Sequence, residues 1–218
     1  AVVQASSIKY AVDPLKEDSA VGTGYKGMRA AFDDLKATNP NISKCAPLGD
    51  LDYPLCLLDW IQLSEEKISG LGLHVNVMGR IGSILSPREL AILNFEKVYF
   101  AFIVDNAYNF ISYRRQESQD NLKGRSDITC EDSVNMTALL SLSGISGIIA
   151  QSWTTSLTSQ QRFISSFYSQ CFEKDNNDFA VAFAAGKRVN VEGKGKLKKW
   201  IRLAKVYYGV NRIKIDTR

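Results

Sequence analysis

The stretch LHVNVMGRIGSILSPRELAILNFEKVYFAFIVD, Leu73–Asp105, decides how the chain is read. It opens with LHVNVM, which suits a short buried strand ending at a glycine. It closes with KVYFAFIVD, rich in β-branched and aromatic residues, the pattern of a central strand covered on both faces. Between them, SPRELAIL begins at Ser86, places Pro87 at the first helical position and puts Glu89 three residues after Ser86. That is a capping box with an N1 proline. Strand, capped helix and strand in this order make a parallel crossover. Met78 and Ala107 should then lie side by side at the carboxyl edge of one sheet, where open α/β sheets carry their active residues.

The same alternation extends in both directions. SIKYAVDP suits a first strand stopped by Pro14, and KGMRAAFDDLKAT spaces Met28, Ala31, Phe32 and Leu35 as a helix does. YPLCLLDWIQL is ambiguous between helix and strand. ISYRRQESQDNLKGRSD is polar and is expected to be an exposed loop. SVNMTALLSLSG reads as a helix with Gly144 as its C-cap, and GIIAQSW as a short strand. TSQQRFISSFYSQCF predicts an amphipathic helix capped at Thr158, with Phe163, Phe167 and Cys171 on one face. DFAVAFAAGKRV predicts another helix, and KLKKWIRLAKVYYGV a helix or a terminal strand. No repeat or long linker interrupts the pattern, so residues 1–218 are expected to form a single domain. Apolar strands alternating with helices call for a mostly parallel sheet with helices on both faces.

Composition narrows the function classes. A 45% hydrophobic and 23% charged chain is globular. Its longest apolar run, Ala138–Ala150, is too short to span a bilayer and includes serines and glycines. AVVQASSIKY has no basic n-region and no long apolar core, so it is not read as a signal peptide. Without an initiating Met, the chain is expected to be processed or part of something longer. Cys45, Cys56, Cys130 and Cys171 show no metal spacing and read as reduced intracellular thiols, which makes a cytoplasmic setting the expectation. The sequons at Asn41 and Asn135 would matter only in a secreted protein. One histidine, His74, cannot build a His-rich metal site. There is no P-loop and no GxSxG elbow, and GTGYKG lacks the order of a dinucleotide fingerprint. No metal, small-molecule cofactor or membrane is expected.

The order of the pieces resembles a known family, the CHAT domain, which has a caspase- and separase-like cysteine peptidase fold and often follows tetratricopeptide repeats. In that family a strand reading roughly Leu-His-x-x-x-His-Gly carries the catalytic His just before Gly. LHVNVMG matches it with His74 at the first, non-catalytic position and Met78 at the catalytic one. The family's nucleophilic Cys follows the next strand in an Ala-Cys turn; FIVDNAYN puts Ala107 there, or Asp105 in a shifted register. LSPRELAILNFEKVYFAFIV, SLSGISGIIAQSW, FISSFYSQCFEKDNNDFAVAFAAGKRV and KKWIRLAKVYYGV are similar to the family's successive later segments, although Trp200 to Gly209 is about two residues longer than usual. The resemblance implies a caspase-like, mostly parallel central sheet with helices on both faces.

It also implies a lost activity. A cysteine peptidase needs a thiolate and an imidazole that first activates it and then protonates the leaving amine. Methionine transfers no proton and alanine offers no nucleophile. The expectation is a pseudopeptidase, not an enzyme, serving as a structural or interaction domain of a larger repeat-containing intracellular scaffold, with a cytoskeletal, ciliary or axonemal setting as one placement. Plain strand-end packing in an unrelated α/β domain is the competing reading of Met78 and Ala107. A cysteine hydrolase with a displaced pair would need Cys130 or Cys56 near His74. Glu131 and Asp132 beside Cys130 oppose a thiolate there.

The charge is uneven. Residues 187–218 hold eleven Lys/Arg and two acids, a net +9, while residues 1–186 net −5, for +4 overall. Lys194, Lys196, Lys198, Lys199 and Arg202, with Trp200 among them, form a candidate binding patch in this basic C-terminal segment. It suits an acidic protein surface or other subunits of an assembly. Because Tyr207 and Tyr208 add further aromatics, nucleic acid in a nucleocapsid-like role is the alternative. A solvated face with its aromatics turned to the core is the plainest account.

Overall fold

The computed structural model describes residues 1–12, 24–38, 46–47, 71–77, 86–105, 117–131, 133–153, 155–173, 178–189, 204–209 and 213–216. In chain order the elements are β1 (Val2–Gln4), a 3-10 turn (Ala5–Ser7), β2 (Ile8–Val12), α1 (Gly24–Thr38), β3 (Ala46–Pro47), β4 (Leu71–Val77), α2 (Pro87–Ile92) and β5 (Val98–Asp105). There follow α3 (Arg125–Cys130), α4 (Ser133–Leu142), β6 (Gly147–Gln151), α5 (Leu157–Cys171), α6 (Phe179–Val189), β7 (Lys205–Gly209) and β8 (Lys214–Asp216).

The described strands form a six-stranded sheet in the order β3-β2-β4-β5-β6-β7. Every neighbouring pair is parallel except β6–β7, which is antiparallel. As the sequence predicts, β4 and β5 are adjacent and parallel, and the chain between them includes α2. A separate pair, β1 with β8, also runs parallel. It lays Val3 and Ile215, both fully buried, onto the core.

Strand β5 is the spine of the sheet, and its residues divide between two apolar layers. Phe100 and Phe102 enter a layer with Phe32 and Leu35 of α1, Phe163, Ile164, Phe167 and Tyr168 of α5, and Phe179 and Ala182 of α6. Val98, Ala101 and Ile103 enter the other, with Leu90 of α2 and Met136 and Leu140 of α4. Strict alternation would not place Val98 with Ala101. A bulge does: Leu71 pairs with Val98 and Gly72 with Phe100, leaving Tyr99 as the extra residue. Tyr99 and Phe100 therefore both serve the first layer. That layer is an aromatic cluster centred on Phe167, whose ring lies 5.3 Å from Phe179, 5.8 Å from Phe102 and 6.0 Å from Phe100. Such offset and edge-on contacts add about 0.5–1.5 kcal/mol per pair beyond area burial.

Several local expectations are corrected. Helix α5 is capped by Ser156, not Thr158; the Ser156 hydroxyl accepts from the Ser159 N–H at 3.3 Å, and Thr158 falls inside the first turn. The polar stretch expected to be a loop is helical where it is described: a turn of helix at 117–120 and then α3. Its polarity reflects an element with no buried residue of its own, held at its start by the Asp127 carboxylate accepting from the Gly124 N–H at 3.1 Å. KLKKWIRLAKVYYGV yields strand β7 over Lys205–Gly209; its earlier part and YPLCLLDWIQL lie outside the described residues.

Gly144 is the C-cap the sequence indicates. The Gly144 N–H donates to the Ser141 carbonyl and the Ile145 N–H to the Leu140 carbonyl, each at 3.2 Å, the paired bonds of a Schellman motif. Its φ is +115°, and a Cβ there would sit 2.7 Å from the Glu96 backbone nitrogen. Gly144→Ala should therefore lower stability by about 1–3 kcal/mol, seen as a lower urea midpoint at unchanged slope. A change under about 0.5 kcal/mol would contradict this cap geometry.

Candidate functional site

Parallel pairing brings the carboxyl ends of four strands to one edge. The last β4–β5 pair is Val77 with Asp105, the last β2–β4 pair is Val12 with Asn76, and β6 ends at Gln151 just beyond the Ile103–Ala150 pair. Met78 is the residue after Val77, and Ala107 is two residues after Asp105. Both positions lie outside the described residues, as do Cys45, Cys56, Lys194, Lys196, Lys198, Lys199, Trp200 and Arg202.

His74, the chain's one histidine, is not at that edge. It pairs with Tyr10 on one side and Phe102 on the other, in the middle of β4. It stands three positions before Val77, about 10 Å along a strand at about 3.3 Å per residue. Cys130 is exposed at the end of α3, and Cys171 is buried in the aromatic layer. The Glu131 carboxylate beside Cys130 is paired with Lys123 at 2.6 Å.

A polar cluster with no motif to mark it in the sequence sits at the same carboxyl edge. Gln151 and Lys205 are the cross-strand pair that begins the β6–β7 ladder. Each is 2% exposed. The Lys205 ammonium lies 4.8 Å from the centre of the Phe163 ring, and neither it nor either amide atom of Gln151 has a hydrogen-bond partner among the described residues. Gln160, fully buried one turn before Phe163, donates from Nε2 to the Thr155 carbonyl at 3.2 Å, but its Oε1 has no partner among them. From α6, Lys187 donates to the Lys205 backbone carbonyl at 3.2 Å. Burial pushes the Lys205 amine down to about 7, helped by the positive charge of Lys187, and burial also lowers Lys187. Tyr207, two residues along β7, is pushed up to about 12 by burial and by the nearby Asp178 carboxylate. Lys205 belongs to the basic segment by sequence; the signal against a solvated lysine is its place in AKVYYG, on the strand face shared with Tyr207.

Elsewhere, the outer face of α5 lines an open groove of about 390 Å³ with Thr158, Gln161, Arg162, Ser165, Ser166 and Ser169. Among the described residues there is no group of three or more His, Cys, Asp or Glu that could hold a metal. No described helix is long and apolar enough to cross a membrane.

No protein-family profile matches the chain, and no curated protein matches it. Among solved structures it is similar to separase in the Saccharomyces cerevisiae separase–securin complex, with a TM-score of 0.56 and 14% identity over 98% of this chain. The fold is caspase-like. This α/β chain spans 12% of the length of the separase chain it matches, and what the two share is a distant caspase- and separase-like fold.

The buried amine gives stability a definite pH dependence. Its folded pKa is below its unfolded value of 10.5, so from about pH 7 to 10.5 the unfolded chain binds the extra proton and stability rises with pH. Below about pH 7 both states hold the proton and that gain is lost. Lys205→Met should flatten this rise and raise stability at neutral pH, read from urea midpoints of both proteins across the window. Parallel wild-type and variant profiles would contradict the burial of Lys205.

Proposed function

We propose that this chain is a degenerate CHAT-like domain that no longer cleaves peptides and works as an interaction module within a larger repeat-containing intracellular scaffold. The observation that carries this reading is His74 at mid-strand. The chain's one histidine stands three positions before Val77 in the register of β4, short of the edge where strands β4 and β5 end together. The residues that follow those strands are Met78 with Gly79, and Asn106 with Ala107. Neither pair supplies a nucleophile and a base. The fold itself, shared with a segment of a much longer chain, supports a module carried within a larger protein.

The basic segment is the proposed contact with an acidic protein surface, in a cytoplasmic setting. Lys187 and Lys205 bracket its central block, and the bond between them brings the two ends of residues 188–204 together. The aromatic residues described there do not favour nucleic acid. Tyr207 packs against the layer under α5 and α6, and Tyr208 against the layer under α4, so neither is a free platform for a base.

Replacing Lys198 and Lys199 by Glu should weaken binding to an acidic protein such as tubulin and flatten its salt dependence. The urea midpoint should move by less than about 0.5 kcal/mol in stability. Binding titrations at two salt concentrations, run beside single-stranded RNA, check this. Tighter binding to RNA that also needs Trp200 would overturn the protein-partner reading.

A further inference from the structure

We propose that Lys205, Gln151 and Gln160 form a buried carboxylate-binding site at the carboxyl edge of the sheet. The argument begins with satisfaction. Buried polar atoms in folded proteins are nearly always hydrogen-bonded, and each exception needs a physical reason. Here four meet in one region: Lys205 Nζ, Gln151 Nε2, Gln151 Oε1 and Gln160 Oε1. They are brought together by the ladder and the helix above it. Gln151 faces Lys205 across the strands, and Gln160 lies one turn before the Phe163 ring over which the amine sits.

Charge then selects the ligand. Neither Lys205 nor Lys187 makes an ion pair among the described residues. The acidic group nearest in effect, Asp178, acts on Tyr207, and its Oδ1 accepts from the Ala180 N–H at 2.8 Å at the start of α6. Two basic side chains with no acid paired to them among the described residues favour an anion, and a desolvated ammonium binds an anion more strongly than a hydrated one does. A carboxylate fits the donors present. One oxygen accepts from Lys205 Nζ and the other from Gln151 Nε2, while a water that donates one proton to the carboxylate has its other proton for a glutamine oxygen. Sulfate or phosphate would place more oxygen atoms against those acceptors.

The carboxylate comes from a small acid or from a glutamate side chain of a polypeptide, and the test separates them. Thermal unfolding is measured just below neutral pH with sodium acetate, with a short poly-glutamate peptide, and with sodium chloride at matched ionic strength. Wild-type protein should be stabilised by acetate, by the peptide or by both beyond the chloride control. The apparent affinity should fall about tenfold or more in Lys205→Met and should also weaken in Gln151→Leu. It should tighten as pH falls through neutrality, because binding holds a proton on Lys205. Response to acetate assigns a small-acid site; response to the peptide alone assigns a side-chain site. Equal responses in wild type and Lys205→Met, or none beyond chloride in any protein, would overturn the proposal. Either result leaves the Lys198 and Lys199 contact standing, since that contact is read separately.

Discussion

The structure depends on β5 being buried from both sides. Phe100 and Phe102 on one face and Ala101 and Ile103 on the other are all 5% exposed or less. A strand in that position can expose neither a polar row nor an edge, so parallel neighbours and helices must cover it. The bulge at Tyr99 lets the strand feed both layers despite its unbroken apolar run. Everything at the carboxyl edge inherits its position from this strand: β4 ends level with it through the Val77–Asp105 pair, and β6 brings Gln151 to the same side.

The arrangement separates the sheet's scaffold from its chemistry. Strands β4 and β5 end level with each other, and the histidine is built into the ladder between Tyr10 and Phe102. The strongest perturbation among the described ionisable groups near this edge is instead an amine. Lys205 is buried beneath α5 and α6 with Lys187 close by, an arrangement that costs stability when protonated and that a bound anion would relieve. The same helices that make the aromatic layer through Phe163 and Phe167 thus set the energetics of the polar cluster at its rim.

Much of the fold was legible because its signals are local and strong. KVYFAFIVD has no polar face to give to water, Pro87 marks a helix start, and Gly144 closes a helix that only a positive φ could close. The misplaced cap at Thr158 shows the limit of such signals: Ser156 and Thr158 are both capable, and only the geometry of the Ser159 N–H chooses between them. Helix α3 was hidden because it buries nothing, so it carries no apolar period. The polar cluster was hidden for a different reason. A lysine in a basic segment reads as solvated, and only the pairing of β7 with β6 and the cover of α5 turn Lys205 inward. Met78 and Ala107 were found by resemblance to a motif, not by periodicity.

The proposal of a domain without peptidase chemistry is tested most directly by a cysteine-directed peptide warhead followed by mass mapping of every thiol. The account predicts no stoichiometric, site-defined labelling of Cys45, Cys56, Cys130 or Cys171, with exposed Cys130 reacting no faster than a free thiol and no differently in His74→Ala. Stoichiometric labelling of one cysteine that is abolished by His74→Ala would show a working thiol–imidazole pair and contradict it.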